Sequence, residues 1–324
     1  MSKIRWGVLG TANIAKWCTI PGMQKAQDCE LYAIAGRSIE KAERFKQDFG
    51  FEVAYGSYDE LIADKDVEAV YIPLPNDLHI KWVTKALRAG KHVLCEKPLA
   101  LNLDEAREMY KVAQENNVIL MEAYAYLHSP YVSSLIEDVQ SGIIGDVDYI
   151  ESAFITQGYE EDFRLHKEQG GGAMYDLGCY CTTMILSLID SDPETVWAQA
   201  EFSDLGVDLM TAVMLKFRNG ARASFNIGMI LDRHSNSRFD RLYVHGSKGS
   251  VRSEVEYNQE GTLSYSIFKG DEVIVRTVEA PSNYSLEVQD MCNAINGVSK
   301  PHITPEFSLK NMKLIEDVLT KIGY

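Results

Sequence analysis

Along the first third of the chain, apolar residues fall in short uninterrupted runs, and between the runs they recur every three or four positions. Ile4–Gly10, Leu31–Ala35, Val67–Ile72, Lys91–Cys95 and Val118–Met121 carry the runs, which predict strands buried on both faces. The stretches between them predict helices. One opens at Thr11–Ala15, one shows Ala42, Phe45 and Phe49 on a single face with Gly50 as its stop, one runs from about Asp77 to Ala89, and one is opened by the capping pair Asn102 and Glu105. Strands alternating with helices predict an α/β unit with a doubly wound parallel sheet.

After Glu122-Ala123-Tyr124 the period changes. Asp146–Gln157, Thr195–Phe202, Leu209–Phe217, Ala221–Met229, Arg241–His245 and Thr262–Phe268 read as strands separated by turn residues, which predicts an α+β C-terminal domain with a large, mainly antiparallel open sheet. One helix interrupts it, directly after Gly170-Gly171-Gly172. The tail, with Thr304 as cap, Pro305 at the first helical position and Leu309, Met312, Ile315, Leu319 and Ile322 in one stripe, predicts a core helix over 305–322. The expected domains are 1–124 and 125–324, with that last helix packing back near the first.

Composition narrows the partners. The 324 residues carry a formal net charge of −15, which repels phosphate backbones, so nucleic acid is not an expected partner. No stretch is long and apolar enough to span a bilayer, and the amino terminus runs into a strand pattern without a signal region, which points to a cytoplasmic protein with no membrane partner. Six cysteines without regular spacing fit reduced thiols. No zinc motif accompanies them, and no metal is expected.

Ligands of open α/β sheets lie at the carboxyl ends of the strands, and several residues there have chemistry to offer. Gly10-x-Ala12-x-x-Ala15 is a weakened dinucleotide fingerprint, placing Gly10, Thr11, Ala12, Asn13 and Ile14 against a pyrophosphate at a helix amino terminus. The methyl of Ala12 narrows that approach, and an ordinary strand-to-helix turn stays open as a reading. Arg37 and Ser38 end the next strand, where NAD enzymes carry an acidic residue and NADP enzymes an arginine able to fork onto the 2′-phosphate; the alternative for Arg37 is a solvated loop cation. Pro73, Leu74, Asn76 and His79 face the same crevice, with helix capping as the alternative for Asn76 and His79. Glu96 and Lys97 close the strand before Pro98. In the second domain Asp176 and Tyr180 stand four apart on one helical face, after a glycine run that lets a ligand approach. The bland reading there is a half-buried tyrosine bonded to Asp176.

Three stretches together carry a family likeness: Ala69–Asn76 with His79, Ala89–Pro98, and Gly171-Gly172 leading to Asp176-x-Gly178-x-Tyr180. On them the chain resembles, over essentially its whole length, the Gfo/Idh/MocA oxidoreductases, which join a Rossmann domain to a sheet domain. The most similar branch holds glucose-fructose oxidoreductases, NADP-linked D-xylose dehydrogenases and dimeric dihydrodiol dehydrogenases. The resemblance implies that Lys97 lies beside nicotinamide and substrate, that Tyr180 is the acid/base with Asp176 orienting the pair, and that Tyr124, Phe154 and Arg164 also meet the substrate. Two positions depart from the branch: Ala125 replaces a frequent Trp or Met, and Leu127 a frequent Arg.

The activity so implied is NADP(H)-dependent, with NAD as the alternative cofactor, and moves a hydride between nicotinamide and a carbinol carbon of a sugar or related polyhydroxylated small molecule. A phenol of reference pKa about 10 needs help as a base. A cation about 5 Å away at an effective dielectric of about 20 supplies roughly 3 kcal/mol, or about 2 pKa units, and Lys97 is the expected source. Two rivals stay open: a sugar- or dinucleotide-sensing regulator without turnover, and a sugar-sugar oxidoreductase with tightly held NADP. A homo-oligomer, dimer or tetramer, is expected through the uncovered face of the second sheet, because Ala221, Ala223, Phe225 and Ile227 beside Met214 and Phe217 offer apolar side chains to both faces.

Overall fold

A computed structural model describes residues 2–234 and 237–324; Met1, where the first expected domain begins, and Ser235 and Asn236 lie outside the described residues. By compactness the chain divides into one unit of Met1–His128 with Pro281–Leu309 and another of Ser129–Ala280 with Lys310–Tyr324.

In the first unit the strands are β1 (Ile4–Leu9), β2 (Cys29–Ala35), β3 (Val53–Tyr55), β4 (Ala69–Ile72), β5 (His92–Glu96) and β6 (Leu120–Ala123), and the helices α1 (Ile20–Lys25, after a π-helical turn at Ala15–Thr19), α2 (Ile39–Phe49), α3 (Tyr58–Ala63), α4 (His79–Arg88) and α5 (Leu103–Glu115). The sheet runs β3-β2-β1-β4-β5-β6 with every pairing parallel. This is the doubly wound order, and it reverses direction between β1 and β4. The apolar runs explain it: Trp6, Val8 and Leu9 of β1 and all four residues of β4 are shut from solvent, each large side chain contributing about 1.5–3 kcal/mol. The Asn102 cap is present, its side chain accepting the Glu105 N–H at 2.9 Å.

The second unit holds α6 (Pro130–Gln140), β7 (Val147–Gln157), α7 (Cys179–Leu188, after a π-helical turn at Met174–Gly178), β8 (Pro193–Phe202), β9 (Asp208–Phe217), β10 (Arg222–Leu231), β11 (Arg238–Gly246), β12 (Gly249–Ser253), β13 (Gly261–Lys269) and β14 (Glu272–Ala280). Its sheet runs β14-β13-β12-β11-β7-β10-β9-β8, antiparallel except where β10 lies parallel to β7. Two helices close the chain, α8 (Asn283–Ile295) and α9 (Pro305–Ile322), and α9 is divided between the units at Leu309.

Two expectations change here. A single cut after residue 124 differs from the compact units, because α8 returns to the first one: Val288, Met291 and Cys292 are buried and Gln289 bonds Asp28 at 2.9 Å. The apolar alternations serve the two sheet faces unequally. Ala221, Ala223, Phe225 and Ile227 share one parity, and they and Phe217 are all buried; of the residues expected outside, Met214 is the one exposed.

Candidate active site

In the first unit the site is built at the carboxyl ends of β2, β1, β4 and β5, four consecutive strands of the sheet. Gly10 ends β1 with φ +125, and a Cβ there would lie 3.1 Å from Leu74 Cδ2 and 3.6 Å from the Tyr58 hydroxyl. Glycine is therefore required by conformation and by space. Thr11, Ala12 and Ile14 are half-buried behind it and Asn13 is exposed. Arg37, exposed at the end of β2, faces Tyr58: burial raises that phenol and the Arg37 charge works against the rise. Ser38 is the N-terminal cap of α2, but its hydroxyl donates to Glu40 at 2.5 Å instead of capping. An anion at this corner would meet Arg37 first.

Pro73, Leu74 and Asn76 are buried in the turn after β4. His79 was expected among the cofactor contacts, and its ring is occupied otherwise. Nδ1 lies 3.0 Å from Pro98 O and Nε2 lies 2.9 Å from Leu74 O, and burial lowers its pKa. The imidazole is a strut between the turn after β4 and the turn that follows Lys97. Glu96 is fixed from behind by a relay in which Thr19 donates to the Tyr71 hydroxyl at 2.8 Å and Tyr71 to Glu96 Oε1 at 2.5 Å.

Lys97 is half-buried. Beside it lies Glu122, buried in β6, whose one signal along the chain is an acid inside an apolar strand. Burial pushes its carboxyl up to about 7, and the Leu99 N–H and Tyr124, with the Lys97 charge, oppose the rise. The Leu99 bond measures 2.8 Å. Tyr124 is fully buried, and its hydroxyl serves Glu122. Ala125 and Leu127 are buried in the next turn.

In the second unit Arg164 is held between the rings of Tyr159 and Phe163 at 5.1 and 4.6 Å. Its Nη1 donates to Asp162 at 2.9 Å, and its Nε stands 2.8 Å from Asp176 Oδ2. Against burial, these acids keep the guanidinium firmly protonated. Asp176 is thus an ion-pair partner of Arg164. The glycine run has a different reason from the one expected, since it lets the chain approach itself. A Cβ on Gly171 would stand 2.5 Å from Arg164 O, and one on Gly172, at φ +102, would land on Asp208 Oδ1. Tyr180 is half-buried at the start of α7, with Phe154 edge-on at 5.3 Å. Phe154 is buried, with the Arg238 guanidinium 4.4 Å over its ring and Tyr257 stacked 5.1 Å away. It therefore backs Tyr180. Sequence patterning does not flag Arg238 or Asp240, because it places the start of β11 at Arg241, and Tyr257 lies after β12 outside any patterned run.

Among the described residues no group of three or more His, Cys, Asp or Glu side chains is placed to hold a metal, and no helix is long and apolar enough to cross a membrane. The six cysteines are free thiols.

A glycine turn at the head of a doubly wound parallel sheet is the geometry of a dinucleotide-binding domain, here followed by a separate sheet unit. Residues 4–124 match the profile of the oxidoreductase family with an NAD-binding Rossmann fold, and residues 133–252 the GFO/IDH/MocA C-terminal domain; the chain belongs to the Gfo/Idh/MocA oxidoreductase family. It is 31% identical over 319 residues to D-xylose 1-dehydrogenase (NADP(+)) 2 of Haloferax volcanii, covering 97% of this chain and 95% of the relative. It is 35% identical over 254 residues to trans-1,2-dihydrobenzene-1,2-diol dehydrogenase of Xenopus laevis, covering 76% and 74%. The fold superposes with TM-score 0.92 and 30% identity on KijD10, a 3-ketoreductase of Actinomadura kijaniata crystallised with NADP and TDP-benzene, over 99% of this chain and 98% of that one.

Proposed function

We propose that the protein is an NADP(H)-dependent oxidoreductase interconverting a carbinol and a carbonyl on a sugar-like polyhydroxylated substrate. The observation that carries this reading is the row of groups along neighbouring strand ends: Arg37 after β2, the Gly10 turn after β1, Leu74 and Asn76 after β4, Glu96 and Lys97 on β5. Strands lie about 4.8 Å apart, so the row offers a cation, an open backbone turn and a polar end in the order a dinucleotide phosphate needs. NADP appears in the Haloferax relative's name and in the KijD10 complex, which supports the same choice. Bound NADP supplies the hydride donor or acceptor at its nicotinamide.

The chain's own residues bind, orient and move the proton. Arg37 takes the 2′-phosphate in a fork, and Ser38 joins it only by releasing Glu40. Lys97 keeps its ammonium near the reacting oxygen, with Glu122 and the Glu96 relay fixing its turn. Tyr180 takes the hydroxyl proton in oxidation and returns it in reduction, and Asp176, neutralised by Arg164, leaves its phenol less opposed than a bare carboxylate would.

A spectrophotometric screen of NADP and NAD against aldoses, polyols, sugar phosphates, dihydrodiols and nucleotide-linked ketosugars tests the proposal. NADP should show the lower KM, with Arg37→Ala raising it for NADP and not for NAD. On the best substrate Tyr180→Phe should lower kcat by roughly a hundred-fold with NADP binding nearly unchanged. Equal KM values for the two cofactors would overturn the NADP assignment, and a Tyr180→Phe enzyme with wild-type kcat would move the proton-transfer role to Lys97.

A further inference from the structure

Tyr180 lies against two other rings. Phe154 meets it edge-on at 5.3 Å and Tyr257 meets it tilted at 5.1 Å, while Phe154 and Tyr257 stack on each other at 5.1 Å and 29°. Arg238 of β11 reaches into this group. Its guanidinium lies 4.4 Å over the Phe154 ring, and its Nη2 donates to the Tyr257 carbonyl at 3.0 Å. It therefore engages both residues that flank the Tyr180 ring.

This arginine is held firmly. Asp240 accepts from Nε at 2.7 Å and from Nη2 at 2.6 Å, and the Tyr257 backbone N–H in turn fixes Asp240 at 2.8 Å. The Asp240 side chain is 1% exposed and that of Arg238 28%. A guanidinium forked onto a buried carboxylate and stacked on a ring is pre-organised and stays charged. Burial works against that charge, Asp240 outweighs it, and Glu256 and Tyr180 add to the hold. Coupling between two titrating groups is mutual, so a guanidinium favoured by a phenolate at Tyr180 favours that phenolate equally.

We propose that Arg238 is a positioning residue for the proton transfer: through Phe154 and Tyr257 it fixes the Tyr180 ring, and its charge favours the phenolate. The proposal rests on Tyr180 being the acid/base. The second unit then carries its own cation for that group, in addition to the one expected from Lys97. Asp240 on β11 and Glu256 after β12 pair with Arg238, Tyr257 meets the Tyr180 ring, and Asp176 ahead of α7 pairs with Arg164. Cys181, next on the helix, is pushed up to about 12 by burial and stays a neutral thiol. From β7, Ser152 approaches the Tyr257 hydroxyl at 3.3 Å.

The test is the pH dependence of kcat/KM for oxidation on the full-length enzyme. Arg238→Met should move the alkaline-going rise to higher pH by about one to two units. Asp240→Asn, which keeps the cation and removes its counter-charge, should move it lower, and Arg238→Lys should stay near wild type. A merely structural arginine would not give shifts of opposite sign. If Arg238→Met fails to fold around an unpaired Asp240, the double variant Arg238→Met/Asp240→Asn strands no charge and should lie at higher pH than Asp240→Asn alone, by the shift that removal of the cation causes. An unmoved rise in these variants, with Tyr180→Phe still crippled, would overturn the role of Arg238 and leave Tyr180 standing. A Tyr180→Phe enzyme with wild-type kcat would remove the reading beneath both.

Discussion

Lys97 and Tyr180 each have neighbours that hold them: Glu122 lies beside Lys97, and Phe154 and Tyr257 lie against the Tyr180 ring. Lys97 and Tyr180 stand out because a lysine and a tyrosine follow recognisable runs; Glu122, Arg238 and Asp240 do not, because nothing along the chain says that a lone acid in an apolar strand will meet a lysine, or that two residues of one β-strand will form a fork. His79 is a conspicuous side chain whose two nitrogens both face carbonyls. Glu122 makes the energetics testable. Its folded pKa of about 7 lies above the unfolded range, so the native state binds its proton more tightly, and stability falls as pH rises from about 4.3 to about 7 and is level beyond. Glu122→Gln keeps an acceptor for the Leu99 N–H and removes the titration. Its gain in unfolding free energy over wild type should be about 2–3 kcal/mol larger at pH 8 than at pH 5. Urea unfolding at the two pH values checks this, and an equal difference at both would place the Glu122 pKa near its unfolded value.

At the scale of elements, legibility followed the strength of the period. The five apolar runs of the first unit all became strands, because burial on both faces leaves an unbroken signal, and the Asn102 and Thr304 starts were written in cap chemistry. What went unread were short or weakly marked elements. β3 has three residues and β12 five, β14 is an edge strand with alternate positions exposed, and α8 begins without a side-chain cap. The glycine run was legible as a need for space but not as to what fills it, since Asp208 arrives from β9, far along the chain. Asp208 Oδ2 accepts the Met174 N–H at 2.9 Å and the Thr211 hydroxyl at 2.7 Å, which fixes the carboxylate against Gly172. Gly172→Ala therefore combines a left-handed φ with a collision and should cost about 3–4 kcal/mol, whereas Gly50→Ala, at φ +81 with nothing within 4 Å, should cost only about 1 kcal/mol. Paired denaturation curves give the difference, and equal losses would mean that Asp208 moves aside freely.

At the scale of the whole molecule, the family and both sheets could be read from the chain, whereas the return of α8 to the first unit could not, because a contact between Gln289 and Asp28 leaves no local pattern. The side of the second sheet opposite its buried residues bears on assembly. Trp197 is 51% exposed, Met214 57% and Phe239 43%; Trp197 and Met214 are cross-strand partners, as are Phe239 and Ile155. On β11 Arg241 pairs with Glu151 and lies over Phe239 and Tyr243 at 5.2 and 5.3 Å, and on β12 Arg252 lies over Phe268 at 4.5 Å. Aromatic, methionine and arginine side chains on one sheet face are the composition of a protein interface, and a face of this kind is its own complement in a two-fold dimer. We propose that a second copy of the chain covers it. Light scattering at micromolar concentration should give at least a dimer, and Trp197→Lys/Met214→Lys should shift it toward monomer while leaving far-UV circular dichroism unchanged, since neither side chain is buried. A wild-type protein that is monomeric under those conditions would refute the proposal, and a double variant that stays dimeric would move the interface to another face.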